Sequence, residues 1–434
     1  MSNNNKTRIG TLTGISIVVA NMIGAGAFTS LGFQLESLSN TGVILSLWIL
    51  GGIVALSGAF SYAEIGTMIK KSGGEYTFLS RIYHPIVGYL SGWISLTVGF
   101  AAPIALSVIA FTKYLPLDIE YPKLIGITLI FIITFIHCFN LKSSSKFQNI
   151  STLLKVLFII CIIVIGVILP ESENSAINFE QPYWTEIGSL AFAVSLIYVS
   201  YSYSGWNAAA YITEEFRNPQ RSLPRALIGG TLLVTILYTL LQFILLKHVP
   251  YSELVGKLNV GSIGFEYMLG SATAKIFSAG ISILLISGIS AMVWIGPRVT
   301  SNIAREHKLW SFFKAETNFI PKRALWLQFT LTVLLLLTGT FEQIMIYCGF
   351  LLNVSTLLVV IGVLILRLKK TNAYKSFRSP LFPLFQIIFI IVSLWTITFA
   401  FMHSPLECLL GFGNLLLGFL TYFISYKIDR SKSL

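Results

Sequence analysis

The chain has 434 residues, of which 55% are hydrophobic and 11% charged, and its formal net charge is +12. A soluble chain carries about 25% charged residues, so this composition excludes a soluble protein. Apolar runs recur at the length of about 20 residues that a helix needs to cross a bilayer. Because no long polar segment is present to hold a catalytic centre, we expect no enzymatic activity, no cofactor and no metal site.

The apolar runs predict an all-α membrane protein with twelve transmembrane helices. They are continuously apolar, whereas the strands of a membrane barrel alternate between apolar and polar residues. The first run is too long for a cleaved signal peptide and has glycines in its middle. In chain order, the predicted spans are 9–33, 43–66, 86–112, 124–139, 150–169, 187–212, 226–247, 276–297, 324–340, 343–366, 381–402 and 406–426.

The basic residues predict how the chain is oriented. An even number of spans places both termini on one side, and 24 of the 30 Lys and Arg residues fall on that side. Five lie on the opposite side, and Lys155 lies within a span. By the positive-inside rule, both termini are cytoplasmic. Since the charges are divided among seven short segments, the net charge does not indicate nucleic-acid binding.

The cysteines and loops suggest no further chemistry. All four cysteines lie in or at the ends of apolar spans, and none has CxxC spacing, which is typical of packing residues rather than of a zinc site or a disulfide. The longest segment on the opposite side, 170–186, is predicted to be a solvated loop. Glu64, at the inner end of the second span, is predicted to belong to an interfacial charge pair.

Two glycines interrupt the first span. Gly24 and Gly26 lie at mid-membrane depth, where each costs about 1 kcal/mol relative to alanine in a helix. Lipid cannot satisfy the backbone groups that such a break frees, so a break persists where it lines a cavity or binds something. A seam of small residues that lets two helices pack closely would explain this span equally well.

The sixth span contains a second interruption, which favours the first explanation. Polar and aromatic residues run from Tyr198 to Asn207 at the centre of an otherwise apolar helix. Two interruptions five spans apart are the pattern of an inverted repeat, in which two discontinuous helices hold a substrate at the membrane midplane.

The backbone groups at the two breaks suggest the class of substrate. Free N–H groups at Ala25, Gly26 and Ala27 open a half-helix whose positive end suits a carboxylate. Carbonyls near Tyr201 and Ser204 suit an ammonium group. A receptor for an anion beside a receptor for a cation fits an α-amino acid.

Several longer motifs accompany the breaks. They are IGAGAF at 23–28, YAEIG at 62–66, SGGEY at 72–76, the segment 140–156, YSGWNAAAY at 203–211 continuing to 225, and GPRV at 296–299. Together they resemble the amino acid, polyamine and organocation (APC) transporter superfamily, most closely its L-type amino acid transporter branch and the bacterial relatives of that branch.

The resemblance implies a leucine-transporter-like fold with a 5+5 inverted repeat and two peripheral helices. Residues 9–169 would form the first repeat (helices 1–5), residues 187–366 the second (helices 6–10), and residues 381–426 the peripheral helices 11 and 12. Residues 1–8 and 427–434 would be the cytoplasmic termini. Helices 1 and 6 would be the broken ones.

The resemblance also implies roles for individual residues. The N–H groups around Ala25 and Gly26, in the segment that includes Ile23 and Gly24, would hold the substrate carboxylate. Carbonyls of the residues Met22, Tyr201 and Ser204 would hold its amino group. Tyr201 matches an aromatic lid over the substrate, Tyr203 belongs to the same site, and Asn207 matches a polar side chain near the pocket. Two residues depart from the family pattern: Ala25 where Ser is common, and Lys70 where Pro is common.

Lys155 is the basic residue that falls inside a span, and a cation there is unfavourable by about 3 kcal/mol. Its long stem offers one explanation, since the amine can snorkel to the interface. The resemblance offers another, because proton-coupled or sodium-independent members carry a lysine where sodium-coupled relatives bind the ion. The ammonium would then donate to carbonyls near Ala20 and Ile23 and to the hydroxyl of Ser287 or Ser290. It would act either as a proton carrier or as a fixed charge in an exchanger.

We therefore expect a sodium-independent secondary transporter of neutral L-amino acids that works by alternating access. The alternatives are an amino acid/amine antiporter and a polyamine or cationic amino acid transporter. A dedicated cation pocket needs an acidic residue, and none lies near the centre of a span, which favours a neutral substrate. L-type relatives in animals pair with a subunit through a cysteine after the third helix. Residues 113–123 contain no cysteine, so no disulfide-linked heavy subunit is expected.

Overall fold

The computed structural model describes residues 9–117, 120–139, 144–180, 183–315, 320–369 and 376–431, with the backbone alone for 144–149, 430 and 431. Within these ranges the chain is helical, and its one β-bridge joins Ile9 to Phe216.

The α-helices follow one another in chain order. They are α1 (Thr11–Met22), α2 (Gly26–Gln34), α3 (Thr41–Ile69), α4 (Gly74–Ile82), α5 (Pro85–Ile94), α6 (Ala101–Tyr114), α7 (Pro122–His137), α8 (Ser144–Ile168), α9 (Tyr183–Ile187), α10 (Leu190–Ser202), α11 (Pro219–His248), α12 (Tyr251–Leu254), α13 (Val260–Leu269), α14 (Ser271–Glu306), α15 (Lys322–Thr338), α16 (Phe341–Leu368), α17 (Leu384–His403) and α18 (Pro405–Ser431). A π-helical turn (Ser95–Gly99) joins α5 to α6, and 3₁₀ segments occupy Ala208–Glu215 and Lys308–Phe313.

Nine segments of the described chain are long and apolar enough to cross a membrane, which confirms the prediction of an all-helical membrane protein. These segments are Thr11–Gln34, Thr41–Ile69, Pro85–Tyr114, Ile150–Ile168, Pro219–His248, Ser271–Glu306, Phe341–Leu368, Leu384–His403 and Pro405–Asp429.

Three of the twelve predicted spans correspond to shorter helices. Predicted spans 4 and 6 coincide with α7 and α10, which have 16 and 13 residues. At a rise of 1.5 Å per residue these lengths are about 24 and 20 Å, less than the hydrocarbon thickness of about 30 Å. Predicted span 9 coincides with α15, which has 17 residues. The number of twelve spans therefore stays a prediction.

Several helix ends differ from the predicted ones because hydropathy marks the bilayer and not the end of the helix. Helix α11 begins at Pro219, where a proline at the first helical position loses no hydrogen bond. The predicted span 6 was continuous to 212, whereas α10 ends at Ser202.

In the segment 170–186, the described residues up to 180 form no helix, and all of them except Ala176 are exposed or half-buried, as expected of the predicted solvated loop. Helix α9 begins within it, and Glu186 is half-buried. Its carboxylate accepts hydrogen bonds from the backbone of Ser39 at 3.0 Å and of Asn40 at 3.1 Å. These bonds anchor the segment to the start of α3.

The two predicted breaks are present, and they pack against each other. The first separates α1 from α2 at 23–25, and the second follows α10 at 203–207. A Cβ on Gly26 would lie 2.6 Å from the Ser202 hydroxyl, and a Cβ on Gly205 would lie 2.7 Å from the Asn21 carbonyl oxygen. Gly205 also has a φ of +97°, a conformation that favours glycine. The absence of side chains at both positions thus lets the two broken helices touch.

Aromatic side chains pack together on the side of the helix bundle opposite to the start of α1, which we call the distal side. The start of α1 defines the N-terminal side. On the distal side, the ring of Phe33 lies 5.5 Å from the ring of Tyr198 and 5.9 Å from that of Phe341. The Tyr198 hydroxyl donates to the Glu342 carboxylate at 2.5 Å. These contacts join α2, α10 and α16.

On the N-terminal side, Glu64 forms the predicted charge pair. Its carboxylate is buried and accepts from the Arg367 guanidinium at 2.6 and 2.9 Å. It also accepts from the backbone N–H of Ser379 at 2.8 Å. The pair joins α3 to α16 and to the segment before α17.

Candidate functional site

A cavity of about 570 Å³ lies at the centre of the bundle, beside the second break. Its wall includes side chains of α1, α3, α10, α14, α16 and α17. It extends to Glu215 and Asn302, which are exposed on the N-terminal side. The distal-side residues Phe33, Tyr198 and Phe341 are not part of its wall. The cavity therefore reaches exposed residues on the N-terminal side, whereas these three aromatic residues of the distal side lie outside its wall.

The end of α10 and the second break together supply four of the predicted substrate-binding residues to this cavity. Tyr201, Tyr203, Ser204 and Asn207 all line it. Tyr201 is the last but one residue of α10 and is 8% exposed. The hydroxyl of Tyr203 donates to the Trp48 carbonyl at 2.8 Å.

The first break lies just beyond the cavity wall. Along the first broken helix, that wall ends at Asn21. It does not include the five residues of this segment that were predicted to bind substrate, which are Met22, Ile23, Gly24, Ala25 and Gly26. The physical reason is the close contact of the breaks, since Gly26 faces Ser202 and Gly205 faces Asn21. The structure therefore places this segment against the second break and not on the open surface.

The backbone of the first break is partly satisfied by side chains. The Tyr238 hydroxyl donates to the Met22 carbonyl at 2.5 Å, and the Gln242 amide donates to the Ala27 carbonyl at 3.0 Å. The N-cap residue Ala25 receives no side-chain capping bond. In the first turn of α2, the Phe28 N–H donates to the Ala25 carbonyl at 3.0 Å, and the N–H groups of Gly26 and Ala27 precede the first bond that the helix itself can make.

Lys155 contacts the first break from α8. Its side chain is 2% exposed, and Nζ donates to the Ile23 carbonyl at 3.2 Å. On the other side, a Cβ on Gly288 of α14 would lie 3.3 Å from Nζ. The amine is thus held between α14 and the break and does not snorkel to the interface.

The other predicted partners of Lys155 are arranged differently. Among the described residues, the Ile23 carbonyl is the hydrogen-bond acceptor of Nζ, and no such bond joins it to Ala20. The hydroxyl of Ser287 is buried without a hydrogen-bond partner in the described structure. The hydroxyl of Ser290 is paired with His137 Nε2 at 2.9 Å.

Sequence reasoning missed Glu75. This residue lies in the first turn of α4, is 3% exposed and lines the cavity. Its Oε1 accepts from the Tyr62 hydroxyl at 2.8 Å and from the Asn207 amide at 2.5 Å. The prediction from the sequence concerned acidic residues near the centres of the spans, and Glu75 lies outside the predicted spans. The SGGEY motif contains this residue, and its two glycines gave the only signal of a turn into α4.

A cation also lines the cavity near its N-terminal end. The Arg298 guanidinium stacks on the ring of Trp294, 3.4 Å from the ring centre. Its charge interacts with that of Glu215 across the mouth of the cavity. In the described ranges, no group of three or more His, Cys, Asp or Glu side chains is placed to hold a metal ion.

Comparisons with known proteins agree with this arrangement. The family model of amino acid permeases matches residues 9–407. The chain is 28% identical to the large neutral amino acids transporter small subunit 2 of Mus musculus, over 96% of this chain and 81% of that protein. It is 27% identical to the serine/threonine exchanger SteT of Bacillus subtilis (strain 168), over 99% of this chain and 98% of that protein. It is 29% identical to the b(0,+)-type amino acid transporter 1 of Mus musculus, over 96% and 87% of the two chains. The chain is a helical membrane protein with two broken helices at a central cavity, and the family model matches it over nearly all of its length. It therefore belongs to the amino acid permease family of the APC superfamily.

Proposed function

We propose that this chain is a sodium-independent secondary transporter that moves neutral L-amino acids across the cytoplasmic membrane by alternating access. The observation that carries the proposal is the contact of two broken helices beside a central cavity. A break at mid-membrane depth is unfavourable unless it serves a site. The cavity volume, about 570 Å³, lies in the range of small-molecule sites.

The substrate site is proposed to be the junction of the two breaks. The carboxylate would bind the first N–H groups of α2, where the helix dipole adds positive potential. The amino group would bind carbonyls around Tyr201 and Ser204. Apolar wall residues, including Ile94, Phe100 and Phe350, would accept an uncharged side chain.

Alternating access requires the distal side to open. The rings of Phe33, Tyr198 and Phe341 and the Tyr198–Glu342 hydrogen bond keep it closed in this conformation. We propose that they separate when the cavity closes on the N-terminal side. The two halves of a 5+5 repeat of twelve helices, with both termini cytoplasmic, would move against each other.

Lys155 is proposed to take the place of the sodium ion. Its ammonium, held against the Ile23 carbonyl, stabilises the first break electrostatically as a bound cation would. Transport is then independent of sodium, and the amine serves either as the proton carrier or as the fixed charge of an exchanger.

Reconstitution in liposomes tests the proposal. The purified chain is expected to take up labelled neutral amino acids at equal rates in sodium and in choline buffers. Two conditions separate proton coupling from exchange. A proton-coupled transporter is driven by a pH gradient without internal amino acid, whereas an exchanger is driven by internal amino acid without a pH gradient. Activity of the chain reconstituted alone would support the expected independence from a disulfide-linked heavy subunit. Uptake that requires sodium would contradict the role of Lys155.

A further inference from the structure

A second cavity, of about 320 Å³, lies beside the central one on the N-terminal side of the bundle. It is found where α7 and α14 end and α15 begins, and α14 supplies six of its eleven wall residues. Because the ends of membrane-spanning helices lie near the headgroups of the lipids, the second cavity is placed at the depth of the membrane interface.

One face of α14 lines the second cavity with polar side chains. The residues are Arg298, Ser301, Asn302 and Arg305, whose spacing of i, i+3, i+4 and i+7 puts them on one side of a helix. The two arginines are two turns apart, about 10 Å along the axis, so they flank the other two residues. Ser301 is 3% exposed, and its Oγ accepts from the backbone N–H of Ala315 at 2.9 Å, which leaves its O–H as a donor.

The charge of this face is not neutralised within the described residues. No described acidic side chain belongs to the wall of the second cavity. Arg298 interacts with Glu215 at the mouth of the central cavity. Arg305 is exposed and takes part in none of the ion pairs found in the described ranges. The adjacent Glu306 is directed toward α4, where it accepts from the Tyr76 hydroxyl.

Two further groups at the second cavity favour an anion. Helix α15 begins directly after Pro321, which lines the cavity and makes no side-chain capping bond. The positive end of the α15 dipole therefore lies at the cavity, and it opposes the negative end of α14. The indole Nε1 of Trp294, another wall residue, is buried without a hydrogen-bond partner in the described structure. It is a donor that lacks an acceptor.

We propose that the second cavity binds a phosphate group, carried either by an anionic lipid or by a free phosphate ion. Guanidinium groups match the geometry of phosphate oxygens and form strong hydrogen bonds with them. Basic pockets between membrane helices are typical sites for lipid headgroups. The site goes beyond the proposed function, because it is separate from the junction of the two breaks.

The surroundings of the second cavity favour the lipid as the source of the phosphate. Next to its wall residue His137, the apolar side chains of Ile136 and Phe139 are 55% and 68% exposed. They belong to the end of α7, whose surface faces the bilayer in the proposed orientation. The acyl chains of a lipid seated at the cavity would continue along this apolar surface.

Native mass spectrometry of the purified full-length chain tests the proposal. The probes are phosphatidylglycerol, which is anionic, and phosphatidylcholine, whose quaternary ammonium offsets its phosphate. In the wild type we expect the first phosphatidylglycerol to bind at least tenfold more tightly than phosphatidylcholine. In Arg305→Gln we expect its dissociation constant to rise about tenfold, the effect of losing one hydrogen bond to a charged group. Phosphatidylcholine binding should change less than twofold.

Arg225→Gln is the matched control, since it removes the same charge from an exposed helical position on the N-terminal side. Arg225 belongs to the wall of neither cavity. We expect it to change the dissociation constant of phosphatidylglycerol less than twofold.

A second measurement distinguishes the two sources of phosphate. The melting temperature in detergent without added lipid is compared between inorganic phosphate and chloride at equal ionic strength. Stabilisation by phosphate that is lost in Arg305→Gln, with phosphatidylglycerol binding unaffected by this variant, would identify the free ion as the source. Dependence of phosphatidylglycerol binding on Arg305, without stabilisation by inorganic phosphate, would identify the lipid.

Three outcomes would overturn the inference. The first is a wild type that neither prefers phosphatidylglycerol nor is stabilised by phosphate, as expected if a carboxylate of the chain, such as that of Glu316 outside the described residues, filled the cavity. The second is an equal loss of binding in Arg305→Gln and Arg225→Gln, which would indicate attraction by the overall charge. The third is no effect of Arg305→Gln on either ligand. Should this variant not be recovered as folded protein, the wild-type comparisons decide. Absence of amino acid uptake would contradict the proposed function and leave this inference intact.

Discussion

Replacing Gly205 with alanine tests whether the two broken helices touch as described. A Cβ at this position would lie 2.7 Å from the carbonyl oxygen and 2.8 Å from the carbonyl carbon of Asn21. Both atoms belong to the backbone of α1, so a side-chain rotation cannot relieve the clash. The φ of Gly205 is +97°, which a residue with a Cβ rarely adopts.

The expected magnitude follows from these two effects. A left-handed conformation costs a residue other than glycine about 1–2 kcal/mol. Forcing an additional carbon into a packed contact costs about 1–3 kcal/mol. Gly205→Ala should therefore destabilise the described conformation by about 2–5 kcal/mol, and it should lower both the apparent melting temperature in detergent and the uptake rate in liposomes.

A glycine in open surroundings provides the control. No heavy atom lies within 4 Å of a Cβ built on Gly413, which is inside α18. Alanine is favoured over glycine in a helix by about 1 kcal/mol, so Gly413→Ala should be neutral or slightly stabilising. Gly205→Ala with the melting temperature and uptake of the wild type would refute the packing of the two breaks.

Three further predictions concern single side chains. Lys155→Met keeps the length of the side chain but removes its charge. Since a hydrogen bond to a charged group contributes about 1.5–3 kcal/mol, we expect the uptake rate to fall at least tenfold and its pH profile to change. An unaltered rate and pH profile would contradict the role of Lys155 as proton carrier or fixed charge. Tyr198→Phe removes the hydrogen bond to Glu342. Ile197 lies on the cavity wall, so Ile197→Cys in a background without native cysteines reports access from the distal side to an impermeant thiol reagent. We expect Tyr198→Phe to increase this labelling about tenfold or more, and equal labelling would contradict the proposed closure of the distal side. Burial and the charge of Glu342 raise the pKa of Glu36. The folded state therefore binds this proton more tightly than the unfolded state, and stability should decrease as pH rises above 4.5 through the raised pKa. Glu36→Gln should flatten this part of the plot of melting temperature against pH, and an identical slope in the variant would exclude Glu36 as its source.

The broken helices could be predicted from the sequence because their signals are local. Glycines and polar residues inside apolar spans are visible without knowledge of any partner, as at Gly24, Gly26 and Ser204. The pairing of Glu64 was predicted as a type of interaction, and the structure identifies Arg367 as its partner. That partner is 303 residues away in the chain, so only the fold brings the two together.

The features that the sequence did not reveal depend on packing between distant segments. Glu75 belongs to a short helix outside the spans, and its burial depends on Tyr62 and Asn207. The hydroxyl of Ser290 was expected near Lys155, but His137 from α7 occupies that position as its partner. Hydropathy reports how deep a segment lies in the membrane, whereas these contacts depend on how helices rotate about their axes.

The central claim is that the junction of the two broken helices binds and transports amino acids. The most direct measurement is uptake of a panel of labelled L-amino acids by proteoliposomes that contain the purified chain, with and without internal amino acid. The account predicts saturable uptake of at least one neutral amino acid, without sodium, that decreases strongly in Gly205→Ala. Absence of uptake and of exchange for every member of the panel, with protein that remains folded, would contradict it.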